Sequence, residues 1–188
     1  MTLAQPLPDP LVDRLRAGDR AAFSEVVREH QRPVFFHVLR MTRGDEALAR
    51  DLTQKTFLRV WTHRDRFRGD ASMRTWVLRI AHNLTLNELR RAWRHREVVP
   101  TALEPDELAP AEEPGADQLL AEARDREALR DAVHDLSPRQ KDVTLLRLYQ
   151  DLSFPEIGDV LGITANNAKV HFHHAVRNLR RALTGSAP

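Results

Sequence analysis

The chain has 188 residues, 30% of them charged and 41% apolar, and its 29 basic and 27 acidic side chains leave a net charge of +2. That is globular composition, enough for one ordinary domain or two small ones, and so even a balance argues at first sight against a chain built chiefly for nucleic acid. The absence of cysteine excludes disulfide scaffolds, iron–sulfur and thiolate-zinc sites and thiol nucleophiles. No apolar run approaches the roughly 18 residues of a membrane span. The first fifteen residues, with their prolines and Asp9, lack the basic start and apolar core of a secretory signal. A cytoplasmic protein with no membrane insertion is the expectation.

Charge is unevenly distributed along the chain. Residues 11–97 carry 19 basic and 11 acidic side chains, residues 98–125 eight acidic groups against Arg124, and residues 126–188 nine basic and seven acidic groups. The three segments are therefore +8, −7 and +2. The middle one also holds Pro100, Pro105, Pro110, Pro114 and Gly115. Prolines remove backbone donors and clustered carboxylates repel, so this stretch packs a core poorly. We read 98–125 as an acidic, proline-containing linker, with a helical pattern starting near Asp117, between domains at 1–97 and 126–188.

Both flanking domains read as helix. Leu11, Leu15, Ala22, Phe23, Val26 and Val27 fall at helical intervals over 11–30. The same behaviour recurs over 45–61, 73–93, 138–150, 155–161 and 165–183. Seven glycines and no alternating runs leave little room for hairpins. Ser137 to Gln140 and Ser153 to Glu156 both fit the capping box, a hydroxyl followed three residues later by Gln or Glu. The fold class is all-α: two small helical domains on an acidic tether.

On the helix 45–61, Leu48, Leu52 and Val60 fall towards one side, with Phe57 and Trp61 beside them. Asp51, Gln54 and Leu58, at i, i+3 and i+7, share another side. A leucine flanked by an acid and an amide suits protein docking, and it equally suits an ordinary helix with a broad apolar face. The turn-forming loop Phe67-Arg68-Gly69-Asp70-Ala71-Ser72 leads into the helix 73–93. That helix is expected to bury Trp76, Val77, Ile80 and Leu84. Arg79, Asn83, Leu86 and Arg90 line another side within about 60°, and Arg91, Arg94 and Arg96 extend the positive end. Such a face can hold a nucleic-acid strand, with arginines along the backbone and an unstacked base in the loop; it can also be simply solvated.

From Ser153 a capped helix, a turn at Gly162, an N-cap at Thr164 and a second helix form a helix-turn-helix pattern. Ala168, Phe172, Ala175, Val176, Leu179 and Leu183 make the inward stripe of the second helix. Asn166, Asn167, Val170, His173, His174, Arg177 and Arg181 point the other way, with Lys169 on the flank. In the major groove Asn and Lys can read base edges while Arg and His reach phosphates. The alternative is a helical hairpin with a solvated basic side. His171 and His174 are spaced to share a metal ion, but no Asp or Glu on that helix completes a ligand set.

Three segments, in this order and spacing, are specific together. They are Asp51 through Trp61; Phe67-Arg68-Gly69-Asp70 followed by Thr75 through Asn83; and Leu152 through Gly158 followed by Ala168 through Phe172. In them the chain resembles bacterial RNA polymerase sigma factors of the sigma-70 family, extracytoplasmic-function group, over nearly all of residues 11–184. The resemblance implies a non-enzymatic initiation factor with no catalytic residue, metal or cofactor. It implies that Asp51, Gln54 and Leu58 bind the clamp helices of the polymerase largest subunit, with a second contact at the flap region. It implies that Phe67, Arg68, Asp70, Ser72, Arg79, Asn83 and Arg90 bind the minus-ten promoter element, Asn83 at the point of strand separation. Arg147, Thr164, Asn166, Asn167, Lys169, Val170, His173, His174 and Arg177 would face the minus-35 element, the acidic linker would thread a positive polymerase channel, and an anti-sigma factor would be a further partner.

Some positions depart from the family pattern. Lys55 stands where an acid is usual, Asn166 and Asn167 replace a Gly-Thr pair, Val170 replaces a small polar residue, and His171 an arginine. Two rival readings remain. A stand-alone helix-turn-helix regulator leaves the Asp51/Gln54 surface and the 67–70 loop without a purpose. A metal enzyme lacks any His-Glu-x-x-His or comparable spacing among its nine histidines.

Overall fold

The structure is a computed structural model that describes residues 10–95, 132, 133 and 135–184. The acidic stretch 98–125 lies outside the described residues. The chain divides into two compact units, and among the described residues every regular element is helical. The helices are α1 (Pro10–Arg16), α2 (Arg20–Met41), α3 (Glu46–Thr62), α4 (Met73–His95), α5 (Pro138–Tyr149), α6 (Phe154–Leu161) and α7 (Ala165–Thr184).

In the first unit the helical pattern over 11–30 proves to be two helices. Gly18 adopts φ +83°, a left-handed conformation that ends α1 without the steric cost a side chain would bring. Asp19 then caps α2, its carboxylate accepting the Ala21 N–H at 2.7 Å. α2 continues through Pro33 to Met41, beyond the helical pattern expected over 11–30. Proline removes one intrahelical bond and normally kinks or ends a helix. Here the buried face of Val26, His30, Val34, His37, Val38 and Met41 holds both sides of the proline to the same core. Thr42 closes the helix by donating its N–H to the Val38 carbonyl, and Asp45 caps α3 by accepting the Leu48 N–H at 2.9 Å.

α2, α3 and α4 pack against one another, and α1 lies on α2. α3 contributes Ala49, Leu52, Thr56, Phe57 and Val60 to the core, as its apolar spacing indicates. α4 contributes Val77, Leu78, Ala81, His82, Leu84 and Thr85. Trp76 and Ile80, expected inside, are only half-buried, because the core stripe of α4 is rotated towards Leu78 and His82. In the second unit α5 packs on α7, and Ala132, Leu136, Ala175 and Leu179 form one apolar cluster with Val133 beside it.

The buried polar pair in the first core is His37 and His82, whose ring nitrogens lie 3.4 Å apart. Burial, with the His82 ring and Arg40 adding to it, pushes His37 down to about 3. The unfolded chain takes up that proton near pH 6.5, whereas the folded unit refuses it until about pH 3. Stability is therefore full above pH 6.5 and falls as pH drops through that window, by up to about 1.4 kcal/mol per pH unit. His37→Leu should reduce this slope. Urea unfolding followed by tryptophan emission between pH 4 and 7 reads the first unit selectively, because Trp61, Trp76 and Trp93 all lie in it.

Candidate polymerase and nucleic-acid interfaces

The outward side of α3 carries Asp51, Gln54 and Leu58, all exposed. Leu58 is 61% exposed, a large apolar side chain with no covering group among the described residues. It stands at the rim of an apolar groove of about 640 Å³ between α2 and α3, which is floored by Phe23, Val27, Phe35 and Phe57 and also bordered by Gln54. Helical spacing on α3 alone identifies the rim but not the floor. Phe35 belongs to the half of α2 beyond Pro33, so its face was not assembled with that of α3. Lys55 does not stand as an isolated charge: its Nζ lies 2.6 Å from Asp51 Oδ2, one turn back.

The loop before α4 is held from beneath. Phe67 is 3% exposed, its ring stacks on Trp76 at 4.8 Å, and its carbonyl accepts from Arg16 Nε at 2.7 Å. Phe67, expected among the groups facing DNA, is thus an internal anchor, because its ring finds more apolar surface against Trp76 than in solvent. Arg68, Asp70 and Ser72 are exposed. Ser72 is the N-cap of α4: its hydroxyl accepts the Thr75 N–H at 3.1 Å and its carbonyl accepts the Trp76 N–H. Beyond the loop, Arg79, Asn83 and Arg90 are exposed and Leu86 is half-buried among them. At 3.6 residues per turn they share one side of α4, a basic strip opening onto the loop.

In the second unit, one of the two expected capping boxes forms. The Glu156 carboxylate accepts the Ser153 backbone N–H at 2.8 Å, and the Ser153 hydroxyl accepts the Glu156 N–H at 3.4 Å. At Ser137 no side-chain cap bond forms, and the reciprocal half of the box is lost as well, because the side chain of Gln140 turns across to α7 and accepts from Asn178 at 3.2 Å. Between α6 and α7, Ile163 N–H donates to the Gly158 carbonyl at 3.0 Å. A β-carbon on Gly158 would lie 2.7 Å from the Ile163 carbonyl oxygen, so the turn closes only over glycine. Thr164 caps α7 by accepting the Asn167 N–H at 3.1 Å.

That cap orients the outward face of α7. Thr164, Asn166, Asn167, Lys169, Val170, His173, His174 and Arg177 are all exposed, while Ala168, Ala175 and Leu179 are buried. Phe172 packs its ring 5.8 Å from Phe154 on α6. Arg147 stands apart from this set. It is half-buried, donates to the Leu152 carbonyl at 2.8 Å and lies over the Phe154 ring at 5.3 Å. Its first role is to fasten the α5–α6 connection. Among the described residues no three His, Asp or Glu side chains converge as a metal site, and no helix is long and apolar enough to cross a membrane.

Comparison with known proteins agrees with this division. Residues 26–95 match the family description of Sigma-70 region 2, and residues 126–179 that of Sigma-70 region 4. The pair of units is that of the sigma-70 class of transcription initiation factors. The ECF RNA polymerase sigma factor SigL of Mycobacterium tuberculosis is 34% identical over 169 residues, covering 89% of this chain and 92% of the relative. The RNA polymerase sigma factor YlaC of Bacillus subtilis is 28% identical over 167 residues, with 89% and 95% covered. Among solved structures, the sigma factor RpoE in complex with the anti-sigma factor NepR from Bartonella quintana superposes with a TM-score of 0.69 at 17% identity, over 88% of this chain and 98% of that one. The chain belongs to the ECF group of RNA polymerase sigma factors.

The helix-turn-helix rests on one close approach. Gly158→Ala should destabilise the second unit by roughly 1–3 kcal/mol, the usual cost of forcing an added carbon into a packed site. Amide exchange in α6 and α7 should rise while tryptophan-reported unfolding of the first unit stays unchanged.

Proposed function

We propose that the three exposed faces divide the work of initiation. Asp51, Gln54 and Leu58, with the groove beside them, seat the first unit on the clamp helices of the polymerase largest subunit. Arg68, Asp70 and Ser72 in the loop, set by the buried Phe67, take bases of the minus-ten element, while Arg79, Asn83 and Arg90 follow the strand, Asn83 at the point of separation. In the second unit Asn166, Asn167, Lys169 and Val170 read the minus-35 element. Thr164, His173, His174, Arg177 and the fastening residue Arg147 support that docking on the backbone, and the flap region holds the unit to the polymerase.

The observation that carries this reading is the basic side of α4, exposed from Arg79 to Arg90 and opening onto the exposed loop residues Arg68 to Ser72. An arginine-lined track running into a loop free to accept bases is what holding a melted strand requires. No step of the role calls for a catalytic side chain or cofactor; it is a matter of binding free energy spent on opening a duplex. The acidic linker, 98–125, would occupy a positive channel of the polymerase. The domains 1–97 and 126–188 act in the cytoplasm, and an anti-sigma factor, as in the RpoE–NepR complex, would silence the chain by covering these faces.

Run-off transcription with purified core polymerase tests the reading. Initiation from a cognate promoter should require this chain, and silence on every candidate promoter would defeat it. Leu58→Asp should weaken binding to core polymerase roughly tenfold or more by placing a charge in an apolar contact, measured by fluorescence anisotropy. Asn83→Ala should keep polymerase affinity yet lower promoter opening roughly tenfold, read as permanganate reactivity of unpaired thymines.

A further inference from the structure

α4 does not end with its basic strip. Trp93, one turn beyond Arg90, is 81% exposed, more than any other large hydrophobic side chain described. An indole left in water forgoes a large burial free energy. Its place on the helix is informative. Trp93 follows Leu86 by seven residues, Arg90 by three and Asn83 by ten, which sets it on the edge of the same side. It lies about 15 Å along the axis from Asn83, away from the loop. A strand that separates at Asn83 and runs towards the 68–72 loop leaves the C-terminal half of α4 to DNA that is still paired.

We infer that Trp93 contacts promoter DNA on the paired side of the fork, roughly four to five base pairs from the point of separation. The inference rests on the proposed function of α4. Charge complementarity selects this occupant: the exposed charged side chains of the strip are Arg90, one turn back, and Arg79 further along, which favour a polyanion. The indole adds what arginine lacks, a flat apolar face for deoxyribose or a thymine methyl, and an Nε1–H to donate to a phosphate oxygen. Because the indole is uncharged, the contact releases no counterion, and its share of affinity is independent of salt.

The test uses the holoenzyme assembled with core polymerase and fork-junction DNA, a single-stranded minus-ten element joined to a long duplex arm, beside the same single strand without the arm. Binding of the wild-type holoenzyme to the fork tests the α4 assignment itself; the variants then test Trp93 alone. Trp93→Ala should lower affinity for the fork roughly 5-fold or more, leave affinity for the bare single strand unchanged, and keep the wild-type salt dependence. Trp93→Phe should recover most of the loss. Arg90→Ala, in contrast, should reduce the salt slope by about one. Unchanged fork affinity in Trp93→Ala overturns the inference. So does an equal loss on the bare strand, which would place the indole on melted DNA. Weakened binding to core polymerase without DNA would also overturn it, since the indole would then be a protein contact.

Discussion

The first unit depends on the seating of α4. One side of this helix, from Val77 through Thr85, is buried against α2 and α3, while Arg79, Asn83 and Arg90 remain in solvent. On the assignment proposed for α4, the donors must keep their spacing when a polyanion pulls on them, and a helix locked by its opposite face provides that. The lock has a polar component. His37 and His82 meet inside it, with His37 held neutral by burial. A cation at that point would need a partner to offset its desolvation.

The loop is governed by the same seating. Its conformation is set from inside by the Phe67–Trp76 stack and by Arg16 reaching from α1 to the Phe67 carbonyl. The exposed residues Arg68, Asp70 and Ser72 are therefore presented by a rigid base rather than by a free segment. In the second unit the equivalent base is the tight α6–α7 turn, where Gly158 lies under the Ile163 carbonyl and Thr164 caps the next helix. Both units follow one rule: a buried or glycine-tight anchor sets the angle, and small polar or basic side chains above it face outwards.

Much of this was legible in the chain. The caps at Ser153 and Thr164 and the buried stripes of α3 and α7 follow from local spacing, because side chains one turn apart decide them. Contacts between distant segments were not legible. Pro33 argues locally against a continuous helix, yet tertiary burial of Val34, His37 and Val38 overrides it. With the second half of α2 unassigned, the groove floor that includes Phe35 was invisible. Ser137 to Gln140 has the spacing of a capping box, but Gln140 bonds to Asn178, 38 residues away. Phe67 was grouped with its polar neighbours in the loop, and only the fold reveals Trp76 beneath it. Leu78 and His82 were missed because the core stripe of α4 is set by where α2 lies, which the pattern of α4 alone does not specify.

Net charge, the first thing the sequence offered, is reinterpreted by these placements. Lys55 reverses a sign usual in the family, yet it is paired to Asp51 at 2.6 Å, with both side chains about half exposed. Such a surface pair contributes little to stability, but it commits one carboxylate oxygen of Asp51 to an intrachain partner. On the assignment proposed for α3, docking then leans on what is left: the amide of Gln54, the exposed leucine and the aromatic floor behind it. In the second unit, Lys169 and Arg177 are the formal cations of the proposed recognition face, since Arg147 is engaged with Leu152 and Phe154. On that assignment, two cations and a groove-facing valine would provide weak, methyl-sensitive binding rather than a strong electrostatic hold. Such a unit works when its partner unit and the polymerase keep it at high effective concentration beside the duplex. On these assignments the polymerase contact draws mainly on apolar surface and the second unit's DNA contact on tethering more than on charge, while the α4 strip supplies the cations, which is how a near-neutral total is compatible with a DNA-binding protein.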